Sequence, residues 1–119
     1  MKIFFFALAV IVAAVIAFTA IRRNSMEKYF QLPADQAIII DVRSKHEYDS
    51  GHFSTAINIP HNVIANQIKQ LEPYKRKYVI LYCHSGNRST IAMNVLQHNG
   101  FEHVINAGGY EAIKRFDTK

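Results

Sequence analysis

From Ile3 to Ile21 the chain carries no charged residue, and Thr19 is its single polar side chain. These 19 residues make roughly 28 Å of helix at about 1.5 Å per residue, close to the thickness of a bilayer's hydrocarbon core. A cleavable secretory leader has a shorter apolar core, of about 7–15 residues, and small side chains at −3 and −1. Cleavage after Ala20 would put Phe18 at −3, and cleavage after Thr19 would put Thr at −1. The pattern favours an uncleaved single-pass anchor over residues 1–23, with a signal segment as the alternative. Lys2 stands on one side of the run and Arg22, Arg23 and Lys28 on the other. That bias favours a cytoplasmic domain over a periplasmic one by about one charge.

The remainder, residues 24–119, is enough for one modest core. The formal charge of +5 overstates how basic it is. Three of the 14 basic residues flank the apolar run, leaving 11 against 9 acidic ones. No basic stripe with interleaved aromatics is present, so no nucleic-acid partner is expected. The run Lys75-Arg76-Lys77 reads as a solvated turn. A single cysteine, Cys83, excludes an internal disulfide and any CxxC site. The six histidines (46, 52, 61, 84, 98 and 103) have no metal-ligand spacing, so no metal or cofactor is expected.

Residues 24–36 read as a linker and lead-in, with Pro33 and Asp35 as turn signals. Ala37–Val42 (AIIIDV) is a short continuous apolar run, the pattern of a strand buried on both faces. Residues 44–51 have room for one helical turn closed by Gly51, and 56–59 are a second brief apolar run stopped by Pro60. Residues 62–71 place apolar side chains at 63, 64, 68 and 71, a helical face. Tyr78–Tyr82 (YVILY) is the strongest strand. Residues 89–99 are helical by their apolar positions 91, 92, 95 and 96, with Gly100 as the stop. A last strand is expected at 103–105, and a closing helix from Gly108-Gly109 to about Phe116. Strands alternating with helices predict an α/β domain, a parallel sheet of four to five strands flanked by helices.

The chemistry is concentrated in Cys83-His84-Ser85-Gly86-Asn87-Arg88-Ser89, between the best strand and a helix. In α/β folds that carboxyl end of a parallel strand is where ligands bind. A loop feeding a helix N-terminus can turn successive N–H groups inward as a nest for an anion. Gly86 allows the curl, Ser89 or a neighbour can cap the helix, and Arg88 adds positive charge. These conditions lower a thiol pKa and make Cys83 the expected nucleophile, with residues 84–88 as the anion-binding loop. Arg88 has two expected orientations, folded inward onto a donor's charge or outward at the helix start. Asp41, Arg43 and Glu47 read as a structural ion pair or turn-closing bonds, His52 as structural, and Tyr110 and Phe116 as packing residues.

Three stretches carry a resemblance: Asp41-Val42-Arg43 with Glu47, Gly51-His52 and residues 56–60; the Cys83–Ser89 loop; and Asn99-Gly100-Phe101, Val104 and Gly108-Gly109-Tyr110. Together they make residues 37–115 similar to a single-domain rhodanese of the thiosulfate sulfurtransferase family. The short tethered form resembles the phage-shock rhodaneses of bacteria. The resemblance implies a rhodanese-like fold with a five-stranded parallel sheet. It also implies a Cys83 persulfide carrying sulfur from thiosulfate to cyanide or a thiol. Rhodanese-like domains also serve as sulfur carriers or partner-docking modules, which stays open. The spacing from Cys83 to Arg88 is C-x4-R, one residue shorter than the C-x5-R of related cell-cycle phosphatases and arsenate reductases. The smaller ring of amides suits a terminal sulfur better than a phosphate.

Overall fold

The computed structural model describes the backbone of residues 2–119 and the side chains of that span other than those of 22–24. It divides into two compact units, the first ending at Gln31 and the second spanning Leu32–Lys119.

The first unit is one helix, α1 (Lys2–Phe30). Every side chain from Lys2 to Ile21 is exposed, including Phe4, Phe6, Ile16 and Phe18. A helix apolar on all sides, with no polar face, is matched to a nonpolar surrounding rather than to water. α1 is long and apolar enough to cross a membrane, a test that a signal sequence also passes. It continues past the expected boundary at residue 23 and takes in the first part of the expected linker. Residues 24–30 contain neither glycine nor proline, so nothing stops the helix before Pro33. There Gln36 N–H closes a turn onto the Pro33 carbonyl at 2.9 Å.

The second unit is built on four parallel strands: β1 (Ala37–Asp41), β2 (Ile57–Asn58), β3 (Tyr78–Cys83) and β4 (His103–Gly109), in the order β2-β1-β3-β4. Among the described residues there is no fifth strand of the kind the resemblance implied. The lead-in at 31–36 forms turns instead. β3 lies inside the sheet, and its residues Val79 to Cys83 are fully buried. Successive side chains of a strand point to opposite faces. Val79, Leu81 and Cys83 therefore join Ile40, Val42, Ile64, Leu71, Ala92, Leu96 and Phe101 in one core cluster. Ile80 and Tyr82 face the other side. There the Tyr82 hydroxyl accepts the Phe53 N–H at 2.9 Å and its ring stacks on Tyr110.

The connections are less regular than their periodicity predicts. Residues 62–71 form a 3-10 turn at Ile64–Gln67 followed by the one-turn helix α3 (Ile68–Leu71). Neither has a side-chain cap, and Pro73 lies just beyond. Ile64 and Leu71 still reach the core. α2 (Lys45–Asp49) is the expected single turn, opened by Ser44. α4 (Asn87–His98) is three turns long and ends before Gly100, whose φ of +84° is the left-handed conformation of a helix stop.

β4 is longer than the strand expected at 103–105. A register shift between Leu81 and Cys83 pairs Cys83 with Gly109, so the glycine pair ends the strand and α5 (Tyr110–Ile113) begins after it. This brings the Gly109 backbone against the loop after β3, where an added Cβ would collide with the His84 carbonyl oxygen. Backbone cannot rotate away as a side chain can. Gly109→Ala is therefore expected to cost about 1–3 kcal/mol of stability, read as a lower urea midpoint with unchanged slope.

Candidate active site

Cys83 ends the buried strand β3, His84 to Gly86 form the loop, and α4 starts at Asn87. Gly86 has φ +96° and ψ −11°, a left-handed conformation that reverses the chain within one residue. The turn aims the Gly86 N–H at the Cys83 sulfur, 2.9 Å away. Cys83 is completely buried. That burial pushes its thiol pKa up. The Gly86 N–H, the Ser89 hydroxyl dipole and the N–H groups of Ser89 and Ser85 together outweigh it, and the thiol sits below its ordinary value. The dipole of the three-turn α4 acts in the same direction.

The donors that act on the sulfur reach one residue beyond the expected 84–88 ring. Ser89, a candidate helix cap, is not the cap: Gly86 holds that position and no side chain bonds there. Ser89 is instead fully buried, and its Oγ makes no hydrogen bond of ordinary geometry. It acts on the sulfur as a dipole at close range. The side chains of His84, Ser85 and Asn87 face solvent, and of the three Ser85 acts on the sulfur, through its N–H.

Arg88 takes neither orientation expected for it. Its guanidinium crosses to α2 and grips Glu47, with Nη1–Oε1 at 2.6 Å and Nη2–Oε2 at 2.9 Å. Its charge still bears on Cys83, but from within an ion pair. Glu47, which the sequence placed with Asp41 and Arg43, is thus the partner of the loop's arginine. The signal was present in Ser44-x-x-Glu47, a capping box that opens α2 and fixes Glu47 at its third position. Asp41 and Arg43 form the expected structural pair without it. Arg43 donates from Nε and Nη2 to the buried Asp41 carboxylate, donates to the Gly51 carbonyl at 2.7 Å, and lies over the rings of Tyr82 and Tyr110. His52 stacks on Tyr48 and bonds its carbonyl at 2.7 Å.

Glu47 is held down at about 2, first by the Arg88 hydrogen bond, against the opposing effect of burial, and with help from Ser44. A carboxylate with a depressed folded-state pKa stabilises the fold above its unfolded value near 4.5, and that stability is lost as pH falls toward 2. Glu47→Gln is therefore expected to narrow the difference between urea midpoints at pH 7 and pH 3. An unchanged difference would mean that the pair contributes nothing to the fold.

Comparison with known proteins identifies the family and the fold. The family model described as a rhodanese-like domain matches residues 25–116. A rhodanese with anions from E. coli superposes with a TM-score of 0.61 at 38% identity, covering 65% of this chain and 91% of that one. A rhodanese-like domain from Anabaena gives 0.60 at 31% identity, covering 66% and 90%. The tRNA uridine(34) hydroxylase of Cronobacter sakazakii is 36% identical over 72 residues, which are 57% of this chain and 21% of that protein. The chain thus matches about a fifth of the length of such hydroxylases. With a matching family model over most of its length and a parallel-sheet domain that superposes on solved rhodaneses, the chain belongs to the rhodanese-like domain family.

Proposed function

We propose that the protein is a sulfurtransferase that carries a sulfane sulfur on Cys83. The observation behind this reading is the buried sulfur that accepts the Gly86 N–H at 2.9 Å and lies under further donors from Ser85 and Ser89. In the first half-reaction the Cys83 thiolate attacks the outer sulfur of thiosulfate. The new S–S bond forms as the donor's S–S bond breaks, and sulfite leaves with the bonding pair. In the second, cyanide or a thiolate attacks the terminal persulfide sulfur, forming thiocyanate or a new persulfide and returning the Cys83 thiolate. Such a two-step exchange is ping-pong. The amides of the loop hold the negative charge in both states, as an oxyanion hole does for oxygen. No metal or cofactor enters this scheme.

A second reading is favoured by Arg88. Its charge is committed to Glu47, which weakens its hold on a dianionic donor. That suits a sulfur carrier loaded by a partner's persulfide. The tRNA chemistry in the relatives' name is not extended to this chain, because the match covers about a fifth of those proteins. The helix of residues 3–21 would hold the domain at a membrane, on the cytoplasmic side by the flanking charges.

Cys83→Ser is expected to abolish thiocyanate formation from thiosulfate and cyanide with an unchanged melting temperature; retained turnover would end the proposal. Burst amplitude against steady-state rate separates enzyme from carrier. A stoichiometric persulfide by mass spectrometry with negligible thiosulfate turnover would select the carrier. The pH dependence of iodoacetamide alkylation is the third test. Because the thiol is shifted down, the rate should rise with pH and level off below the ~8.5 of a free thiol. A midpoint at the free value would mark Cys83 as inert.

A further inference from the structure

The Cys83 loop is tied to the end of β4 by one side chain that the cysteine motif does not contain. Asn106 donates from Nδ2 to the Gly86 carbonyl at 3.1 Å and to Thr90 Oγ1 at 3.0 Å. Its Oδ1 accepts the Gly108 N–H at 2.9 Å, which fixes which way the carboxamide faces. The Gly86 carbonyl also accepts from Thr90 N–H at 3.1 Å and Thr90 Oγ1 at 3.0 Å. Three donors therefore converge on one peptide oxygen of the loop.

That oxygen and the N–H on Cys83 belong to the same residue. At a ψ of −11° the Gly86 nitrogen lies opposite its own carbonyl oxygen. The oxygen lies toward Asn106 and Thr90, and the nitrogen lies on the opposite side of the residue, toward the sulfur. Glycine has the widest backbone freedom of any residue, so this geometry needs an external restraint. We propose that Asn106 is a positioning residue of the Cys83 site, its carboxamide holding the Gly86 carbonyl and, through the Gly86 Cα, the adjoining peptide whose N–H faces the sulfur. The inference rests on Cys83 being the reacting group of the proposed function, and Asn106 itself touches no reacting atom.

The test is the pH profile of Cys83 alkylation by iodoacetamide in the full chain, with melting temperatures taken alongside. Asn106→Ala is expected to raise the midpoint by roughly half a unit to one unit, a loss of about three- to tenfold in alkylation at neutral pH. Thr90→Val should shift it the same way by less. The double variant should fall short of the sum, because both residues act on one carbonyl. Arg88, which bears on Cys83 by charge, and its neighbours Glu47 and Arg43 stay in place in all three variants. A purely structural Asn106 would lower the melting temperature and leave the midpoint where it was, and that result would overturn the proposal. Should Asn106→Ala fail to fold, the Thr90→Val profile decides, an unshifted midpoint counting against the clamp. Alkylation reads thiol ionisation and not sulfur transfer. A wild-type midpoint at the free-thiol value would sink the function itself, whereas unshifted variants beside a low wild-type midpoint would sink only the role of Asn106.

Discussion

A sulfur atom at the end of a buried strand needs a reason to carry charge, because burial alone favours the neutral thiol. In this protein the Ser89 hydroxyl and main-chain amide dipoles shift the balance toward the charged form. The Gly86 N–H points at the sulfur, those of Ser85 and Ser89 support it, and the Ser89 hydroxyl adds a further dipole. These donors belong to a loop and a helix start that the fold already holds, so they need no rearrangement when charge appears. Most other features of the domain keep that short turn in place.

Three restraints converge on the turn, each from a different element. From below, β3 is buried on both faces, so Cys83 cannot shift without moving Leu81 and Val79 out of the core. From the side, the glycine pair of β4 brings backbone against the His84 carbonyl, and Asn106 binds the Gly86 peptide. Across the mouth, Arg88 at the start of α4 is joined to Glu47 of α2, which the Ser44 capping box orients. The last contact is half-buried. It also sets the electrostatics of the mouth, where the cation nearest the loop is already paired.

The strands were legible because a parallel sheet covered on both faces demands unbroken apolar runs, and 37–42 and 78–82 are such runs. Residues 62–71 read as one helix because apolar spacing does not distinguish a continuous helix from a 3-10 turn followed by a single α turn. The helix of the anchor segment runs on to Phe30 for a related reason. Hydropathy marks where lipid-matched surface ends, whereas a helix ends where its backbone is interrupted, here near Pro33. The closing strand was cut short because glycines read as loop, while β4 uses its two for close approach.

The order of residues by itself determined that Cys83 would follow a buried strand and precede a helix, and that Gly86 would allow the reversal between them. Those are local properties, set by backbone freedom and side-chain pattern over a few neighbours. Only the tertiary structure decided that Arg88 would turn to Glu47, 41 positions earlier, and that Asn106, 20 positions after Gly86, would hold its carbonyl. Such pairings depend on which strand lies beside which and on a register shift at Cys83. Hydrogen bonds between distant segments exist only once packing has brought their donors and acceptors within about 3 Å of one another.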